Sequence, residues 1–167
     1  SAVFKEGKIN SLVSEAFYRI KEKGVVAPVD YSVYYLDALT DLPAVDQLKP
    51  DFKGKSFEIT SDEVQATIKD NTVVQFTTKI KIDKEDRYTF YLRSDDGSKL
   101  WIDSKLITNN DGDHGVKEKS GQIVLKPGTY TLQVGWFNGG GNGWLDVFYK
   151  SSSVSKQIIP TTIFTAQ

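Results

Sequence analysis

Apolar and polar residues alternate strictly along the second half of this chain, and this pattern limits its possible folds more than any other feature. A period of two puts every second side chain on the same face of a β-strand. One face is then buried against a core while the other stays polar, as in an antiparallel sheet. The alternation occurs in four stretches, whose inward positions are Val74, Phe76, Thr78, Ile80 and Ile82, then Tyr88, Phe90 and Leu92, then Tyr130, Leu132, Val134 and Trp136, and finally Leu145, Val147 and Tyr149.

Turn sequences at fairly even spacing join these stretches. Asp103 and Ser104 are candidates for a tight turn, and residues 108–115 contain so much Asn, Asp and Gly that they predict a loop. Eight or more short strands, with no strong helix between residues 30 and 167, predict an all-β fold, an antiparallel β-sandwich. We expect Trp101 and Trp136 in its core, since burial is the commoner role of tryptophan.

The first 29 residues are predicted to form a short N-terminal extension or linker, followed by one sandwich domain over residues 30–167. Two interpretations of residues 1–24 stay open. Apolar positions between Ile9 and Ile20 fit a single helical stripe that would stop at Gly24. Alternatively, residues 1–5 and the segment that begins at Ile9 form a β-hairpin.

The composition excludes several classes of function. Of the 167 residues, 21 are Lys or Arg and 22 are Asp or Glu, so the net charge of -1 gives no general attraction to nucleic acid or to an anionic membrane. No stretch approaches the roughly 18 apolar residues of a membrane-spanning helix. Cysteine is absent, which excludes disulfides and thiolate chemistry. Methionine is absent too, so we expect a piece of a longer protein.

Two adjacent aspartates, Asp95 and Asp96, occupy the turn between two predicted strands. Neighbouring carboxylates repel each other, so this placement requires a cation or several hydrogen-bond donors. Ca²⁺ prefers about six to eight oxygen ligands, and the loop at residues 138–143 offers the amide oxygen of Asn138 and glycine-rich backbone carbonyls. The other interpretation is an ordinary turn, in which the aspartate side chains accept hydrogen bonds from nearby backbone N–H groups.

A calcium ion at such a loop tip leaves coordination positions that paired sugar hydroxyls can fill. Trp136 or Trp144 would then offer a ring face for stacking, which gives Asp95, Asp96, Asn138 and Trp144 as the candidate carbohydrate-binding residues. An enzyme is the weaker hypothesis. His114 is the only histidine, and no pair of acidic residues is marked by an apolar setting.

The stretch from Val73 to Lys150 resembles the PA-14 domain, a family named after the anthrax protective antigen and common in bacterial glycosidases and yeast adhesins. Four signatures carry the resemblance, namely YTFYLRSDDGS at residues 88–98, LWID at 100–103, NDGDHG at 110–115 and LKPG at 125–128. It implies a β-sandwich that binds carbohydrate and is not itself an enzyme.

In the calcium-dependent branch of that family, an Asp-Asp pair joined by a cis peptide bond holds the ion, and a second loop supplies an asparagine and carbonyl groups. Asp95 and Asp96 match the pair and Asn138 matches the asparagine, while Gly140 and Asn142 are candidates for backbone ligands. The resemblance therefore implies that Ca²⁺ is the cofactor and a glycan the partner.

Residues 1–23 resemble the last hairpin of the small β-domain at the end of chitobiase-type β-hexosaminidases. This second resemblance implies a secreted, periplasmic or surface-attached bacterial enzyme that degrades polysaccharides, whose catalytic domain would be a further partner. The alternative function is a structural accessory domain that packs on a hydrolase without binding sugar.

Overall fold

The computed structural model describes residues 4–5, 8–9 and 26–165 of the chain. These residues form β-strands, all paired antiparallel, and three single-turn 3₁₀ helices at Ser61–Glu63, Gln65–Thr67 and Thr161–Ile163. The strands are β1 (Phe4–Lys5), β2 (Lys8–Ile9), β3 (Val29–Tyr35), β4 (Phe52–Ser56), β5 (Thr72–Ile82), β6 (Asp86–Asp95), β7 (Ser98–Ile102), β8 (Lys105–Asn110), β9 (Lys117–Leu125), β10 (Gly128–Asn138), β11 (Trp144–Lys150), β12 (Gln157–Ile158) and β13 (Phe164–Thr165).

Two antiparallel sheets pack face to face and form a sandwich. The larger sheet has the strand order β4-β3-β5-β10-β7-β8, and β13 pairs with β5 beyond the end of β3. The smaller sheet has the order β12-β11-β6-β9. The predicted all-β antiparallel sandwich is therefore confirmed, and the four alternating stretches correspond to β5, β6, β10 and β11.

The alternating apolar residues of both sheets form one core between them. Trp136, Phe76 and Phe90 are its largest fully buried side chains. In each sheet, every second residue of a strand is apolar and faces the core, as a period of two requires. The expected core position of Trp136 is confirmed, and the alternative that its ring stacks on a sugar is wrong because the side chain is fully buried. The expected core position of Trp101 is wrong, because this residue follows the inward Leu100 by one position and so lies on the outer face of the larger sheet.

A second apolar cluster covers part of that outer face. Tyr34, Val73 and Phe137 project from neighbouring strands, and Leu42 and Val45 pack on them from the long connection between β3 and β4. We call this connection, residues 36–51, the excursion. Trp101 lies partly buried beside the cluster. The larger sheet is thus covered on its outer side at one end, while the rest of that face stays open.

Local sequence signals located most turns but not every strand end. Asp103 and Ser104 form the predicted tight turn, with φ angles of 45° and 66°. The predicted loop at residues 108–115 begins later than expected, because β8 continues to Asn110 by pairing with β7. Pairing with a neighbouring strand outweighs the low β-propensity of two consecutive asparagines.

At the N-terminus, β1 and β2 pair antiparallel, with Phe4 opposite Ile9. The rest of the predicted helix or hairpin over residues 1–24, and most of the predicted extension, lie outside the described residues. No helix in the part of the chain that the structure describes has the length and apolar character needed to cross a bilayer.

Candidate functional site

Three connections meet at one end of the sandwich, and we call them together the crest. They are the β6–β7 turn with Asp96 and Gly97, the β8–β9 loop at residues 111–116, and the β10–β11 loop at residues 139–143. The Asp96 carboxylate joins them, because its Oδ2 accepts the backbone N–H of Gly139 at 2.8 Å and its Oδ1 accepts that of His114 at 3.1 Å. The structure thus brings the two loops of the predicted site side by side.

A buried polar network fixes the crest from below. The hydroxyl groups of Ser94 and Ser98 lie 2.7 Å apart, and Asn110 donates from Nδ2 to Ser94 Oγ and to the carbonyl of Lys117, each at 3.0 Å. These bonds link β6, β7, β8 and β9 just inside the three connections. Asn110 Oδ1 has no hydrogen-bond partner among the described residues, but the two hydroxyl groups and Nδ2 are paired. Because buried polar groups cost free energy unless they are paired, these bonds favour one arrangement of the crest.

The peptide bond between Asp95 and Asp96 is cis, the geometry that the family resemblance implied. The Asp95 carbonyl accepts the indole N–H of the core residue Trp136 at 3.1 Å. Asp95 is also opposite Trp144 in the register of β6 and β11. The backbone of Asp95 is therefore held by the core residue Trp136. The Asp95 side chain lies beside Trp144 at the end of the smaller sheet, which we call the rim.

Asp96 is buried, with 7% of its surface exposed, yet it remains able to bind a cation. A carboxylate has about four lone-pair positions, two on each oxygen. Each oxygen of Asp96 accepts one backbone N–H group, so one position on each oxygen stays available. The backbone bonds therefore orient this carboxylate without using up its capacity as a ligand.

The Asp95 carboxylate lacks a hydrogen-bond or ion-pair partner among the described residues. Burial and then the negative charge of Asp96 raise its pKa above the usual value for aspartate, and the charge of His114 acts in the opposite direction. A raised pKa means that the ionised form is disfavoured here. A divalent cation would reverse that penalty, because it lowers the free energy of the two ionised carboxylates.

Asn138 ends β10 and is fully buried. Its Nδ2 donates to the carbonyl of Lys69 at 3.2 Å, but its Oδ1 has no hydrogen-bond partner. A Cβ atom at Gly143 would lie 3.0 Å from that oxygen, so the glycine leaves the space in front of it open. A buried acceptor without a partner is rare and calls for a ligand or a water molecule. The residues present therefore fit a calcium ion.

The remaining predicted site residues lie further out. Gly140 and Asn142 are exposed, and the neighbour of Gly140 is the carboxylate of Asp70. Trp144 has 45% of its surface exposed and donates its indole N–H to Asp146 Oδ2 at 2.9 Å. The contacts thus group Asp96 and Asn138 around Gly139, with Asp95 and Trp144 on the adjoining rim.

The sequence did not reveal the roles of two residues, Asp70, which lies just before β5 and outside the crest, and His114 in the β8–β9 loop. Asp70 Oδ1 accepts the N–H of Gly141 at 3.3 Å and so supports the glycine-rich loop. His114 donates its backbone N–H to Asp96, while both of its ring nitrogens lie 2.9 Å from carbonyl oxygens. The only local signals for these two hydrogen bonds are polar residues immediately before β5 and after β8. Such residues do not specify a partner far along the chain.

Clusters of three or more His, Cys, Asp or Glu side chains with metal-binding geometry are absent from residues 26–165 and the two short N-terminal strands. A cation at the crest would therefore rely on two carboxylates, one amide oxygen and carbonyl groups. Such a set of oxygen ligands suits Ca²⁺ and excludes a zinc site of the usual nitrogen and sulfur type.

The Asp111 carboxylate attaches both β7 and the excursion to the crest. Lys99 Nζ lies 2.5 Å from Asp111 Oδ2, and Asp111 Oδ1 accepts the N–H of Leu42 at 2.7 Å. Burial alone would raise the pKa of Asp111, but hydrogen bonds from Lys99, Leu42 and Gly112 and the charge of Lys99 outweigh it. They hold the pKa of Asp111 below its usual value.

We expect this ion pair to make folding stability depend on acid. A lowered folded-state pKa contributes stability that is present above the usual aspartate value of about 3.9 and is lost as the pH falls through the folded-state pKa. In urea denaturation at a series of pH values, the free energy of unfolding should therefore decrease less on acidification in Asp111→Asn than in the unsubstituted protein. Identical acid slopes in the two proteins would contradict the role given to Asp111.

Comparison with known proteins gives one family and several similar structures. The sequence profile of the PA14 domain matches residues 34–162. The anti-sigma-I factor RsgI3 of Acetivibrio thermocellus is 30% identical over 99 residues, which are 59% of this chain and 15% of that protein. A solved structure of an anti-sigma factor domain-containing protein from Clostridium clariflavum is 25% identical with a TM-score of 0.66, covering 84% of this chain and 47% of that one.

A third similar structure is a PA14 sugar-binding domain from an RTX adhesin. It is 15% identical with a TM-score of 0.71 and covers 86% of this chain and 100% of that domain. The sandwich thus occurs as a whole unit in that structure, whereas the chain spans less than half of the two anti-sigma relatives.

Proposed function

The chain belongs to the PA14 domain family, and from that membership we propose that it is a non-catalytic carbohydrate-binding module that depends on calcium. One observation carries the proposal. The buried Oδ1 of Asn138 lacks a partner one residue away from Gly139, whose N–H binds the carboxylate of Asp96. An orphaned acceptor beside two aspartates that have no Lys or Arg ion-pair partner among the described residues is the environment expected at a cation site.

Asp95, Asp96 and the side-chain oxygen of Asn138 would hold the ion, and carbonyl groups of Gly140 and Asn142 are candidates for further ligands. A bound calcium ion supplies open coordination positions for two neighbouring hydroxyl groups of a sugar. Asp96 is oriented for its role by the N–H groups of Gly139 and His114. The similar adhesin domain is described as sugar-binding, which supports a saccharide as the ligand.

Trp144 is the residue that we propose to contact the sugar ring. It is exposed and lies opposite Asp95 on the neighbouring strand, and its hydrogen bond to Asp146 fixes the orientation of the indole. Aromatic side chains present a large apolar surface while keeping a polar edge, which suits the C–H face of a pyranose. The tryptophan would therefore add apolar contact beside the hydroxyl groups that the ion binds.

The parent protein is a separate part of the proposal. A bacterial hydrolase whose catalytic domain contacts this module stays a prediction, and the curated relative at 30% identity is a protein of another class, an anti-sigma factor. We expect a secreted, periplasmic or surface location, since a module that binds polysaccharide needs access to it. A structural accessory domain without sugar binding is the competing function.

Isothermal titration calorimetry with calcium, followed by a glycan panel, tests the proposal. We expect calcium to bind, at least one glycan to bind afterwards, and the glycan signal to disappear when a chelator is added. A protein that binds calcium but no glycan would favour the competing accessory role. A protein that binds neither would remove the whole proposal.

Thermal melting gives an independent prediction. A ligand that binds only the folded state stabilises it by about 2.7 kcal/mol at a concentration 100 times its Kd. For a domain of this size, about 2 to 4 °C accompany each kcal/mol, so saturating calcium should raise the Tm by about 5 to 10 °C. The same concentration of magnesium is the control, because its smaller ion demands a stricter octahedral site. Equal shifts with both ions would argue against a calcium site.

A further inference from the structure

A cavity of about 400 Å³ lies on the outer face of the larger sheet, away from the crest ligands. The floor is formed by outward-facing residues of β5, β10 and β7, and the excursion forms one wall. We call it the groove. Its volume falls within the range of small-molecule sites in proteins. The residues that matter for its chemistry are Gln75, Gln133, Trp101, Lys99 and Asp46.

Gly135 shapes the groove. A Cβ atom there would lie 2.7 Å from Leu42 Cδ2 and 2.9 Å from Gln75 Oε1. The missing side chain therefore lets Leu42 of the excursion approach β10 closely. It also leaves a depression in the middle of the sheet, with the side chains of the two neighbouring strands on either side.

Two glutamine amides and one indole border this depression in a fixed arrangement. Gln133 on β10 is directly opposite Trp101 on β7, while Gln75 on β5 is opposite Gly135, two residues further along β10. Neither amide has a hydrogen-bond partner among the described residues, and both are partly exposed. Each amide offers two donors and a carbonyl acceptor, a combination that matches the hydroxyl groups of a sugar.

Trp101 supplies the apolar part of the groove. Its ring is partly buried beside Leu42 and lines the cavity next to Gln133. A flat apolar surface beside polar amides is the combination by which proteins bind the C–H face and the hydroxyl groups of a pyranose together.

The charge of the groove selects against an anionic ligand. Lys99 is its only basic lining residue, and this side chain already pairs with Asp111 at 2.5 Å. Asp46 adds a negative charge at the wall. A phosphate or carboxylate would therefore find no unpaired cation in the groove. A neutral polyhydroxylated ligand does not need one.

We propose that the groove is a second saccharide-binding site, which takes one or two neutral pyranose units without a metal ion. Gln75 and Gln133 hydrogen-bond the hydroxyl groups and Trp101 packs on the ring. The site goes beyond the calcium-dependent function, since none of the crest ligands lines it. Two sites on one module would also raise the avidity for a long glycan when both are engaged.

Nuclear magnetic resonance titration of ¹⁵N-labelled protein in excess EDTA tests the groove apart from the crest. The probes are cellotriose, xylotriose, maltotriose and chitotriose. We expect saturable shifts of the side-chain N–H signals of Gln75, Gln133 and Trp101 with at least one probe. The double variant Gln75→Ala/Gln133→Ala should bind that probe about tenfold more weakly or worse, a loss of about 1.4 kcal/mol.

Two control variants separate the outcomes. Gln122→Ala removes an exposed glutamine from β9 of the other sheet and should leave the affinity unchanged. Asp113→Asn, at an exposed residue of the crest that is not a proposed ligand, should also bind the probe normally in EDTA. The groove proposal is overturned if no probe shifts the three side-chain signals, or if the double variant binds as well as the unsubstituted protein. Either result leaves the calcium-dependent function standing.

Discussion

Asp96→Asn is expected to lower calcium affinity by more than the roughly 10- to 100-fold that loss of an outer partner of a metal ligand costs. The substitution removes one of the two carboxylates and replaces an oxygen by an NH₂ group. That NH₂ group would face one of the two backbone N–H groups, of Gly139 or His114, which now donate to the carboxylate. Two donors facing each other cost about 1 to 3 kcal/mol of stability, so the variant should also melt at a lower temperature.

The calcium-induced change in Tm distinguishes lost binding from a folding defect. Without calcium, the substitution relieves repulsion from Asp95, and this offsets part of the lost hydrogen bonding. With calcium, only the unsubstituted protein gains stability. We therefore expect Asp96→Asn to melt at the same temperature with and without the ion, and we expect its glycan binding in calcium to disappear.

Asp113→Asn is the matched control for this experiment. Asp113 is an exposed aspartate of the crest whose charge acts on Asp95 through space. Its replacement removes the same charge without removing a proposed ligand, so calcium affinity should fall only a few-fold. Equal losses in the two variants would mean that net charge, and not direct coordination by Asp96, attracts the ion. An unchanged calcium shift in Asp96→Asn would exclude the crest as the site.

The architecture was accessible from the sequence because alternation is a local signal. In β5 and β10 the inward residues are buried, apart from the partly buried Tyr130 near the start of β10, and the register of the two strands continues without a break from Gly128 to Asn138. A strand with one buried face leaves few alternative registers, since a shift by one residue would expose the whole apolar set. Once the strands are fixed, the connections after β6 and β10 must lie near the same end.

The features missed from the sequence depend on contacts between distant residues. Leu42 bonds to Asp111 across 69 positions, and Asn138 bonds to the carbonyl of Lys69 at the same separation. No local pattern encodes such pairs. At Trp101 two signals in the sequence conflict. Its alternation with Leu100 indicates the outer face, while the general preference of tryptophan for burial indicates the core. The position within the strand decided the outcome.

Among alanine substitutions of the glycines that the structure describes, Gly121→Ala should destabilise the fold most. Gly121 lies in β9, at the edge of the smaller sheet, where β8 of the larger sheet crosses close to it. An added Cβ would lie 1.7 Å from the carbonyl oxygen of Ile107 and 3.1 Å from Thr108 Oγ1. The first of these neighbours is backbone, which cannot rotate away as a side chain can. The substitution must therefore displace β8 or β9, which we expect to cost about 3 kcal/mol or more.

Gly115→Ala is the matched control, since no atom lies within 4 Å of the position of its added methyl group. Its stability should stay within about 0.5 kcal/mol of the unsubstituted protein in urea denaturation, while Gly121→Ala loses about 6 to 12 °C in Tm. The displaced strand β8 leads directly to His114, which donates its N–H to Asp96, so calcium binding in Gly121→Ala should weaken as well. Equal stability of the two alanine variants would show that β8 does not pack as closely against Gly121 of β9 as the structure indicates.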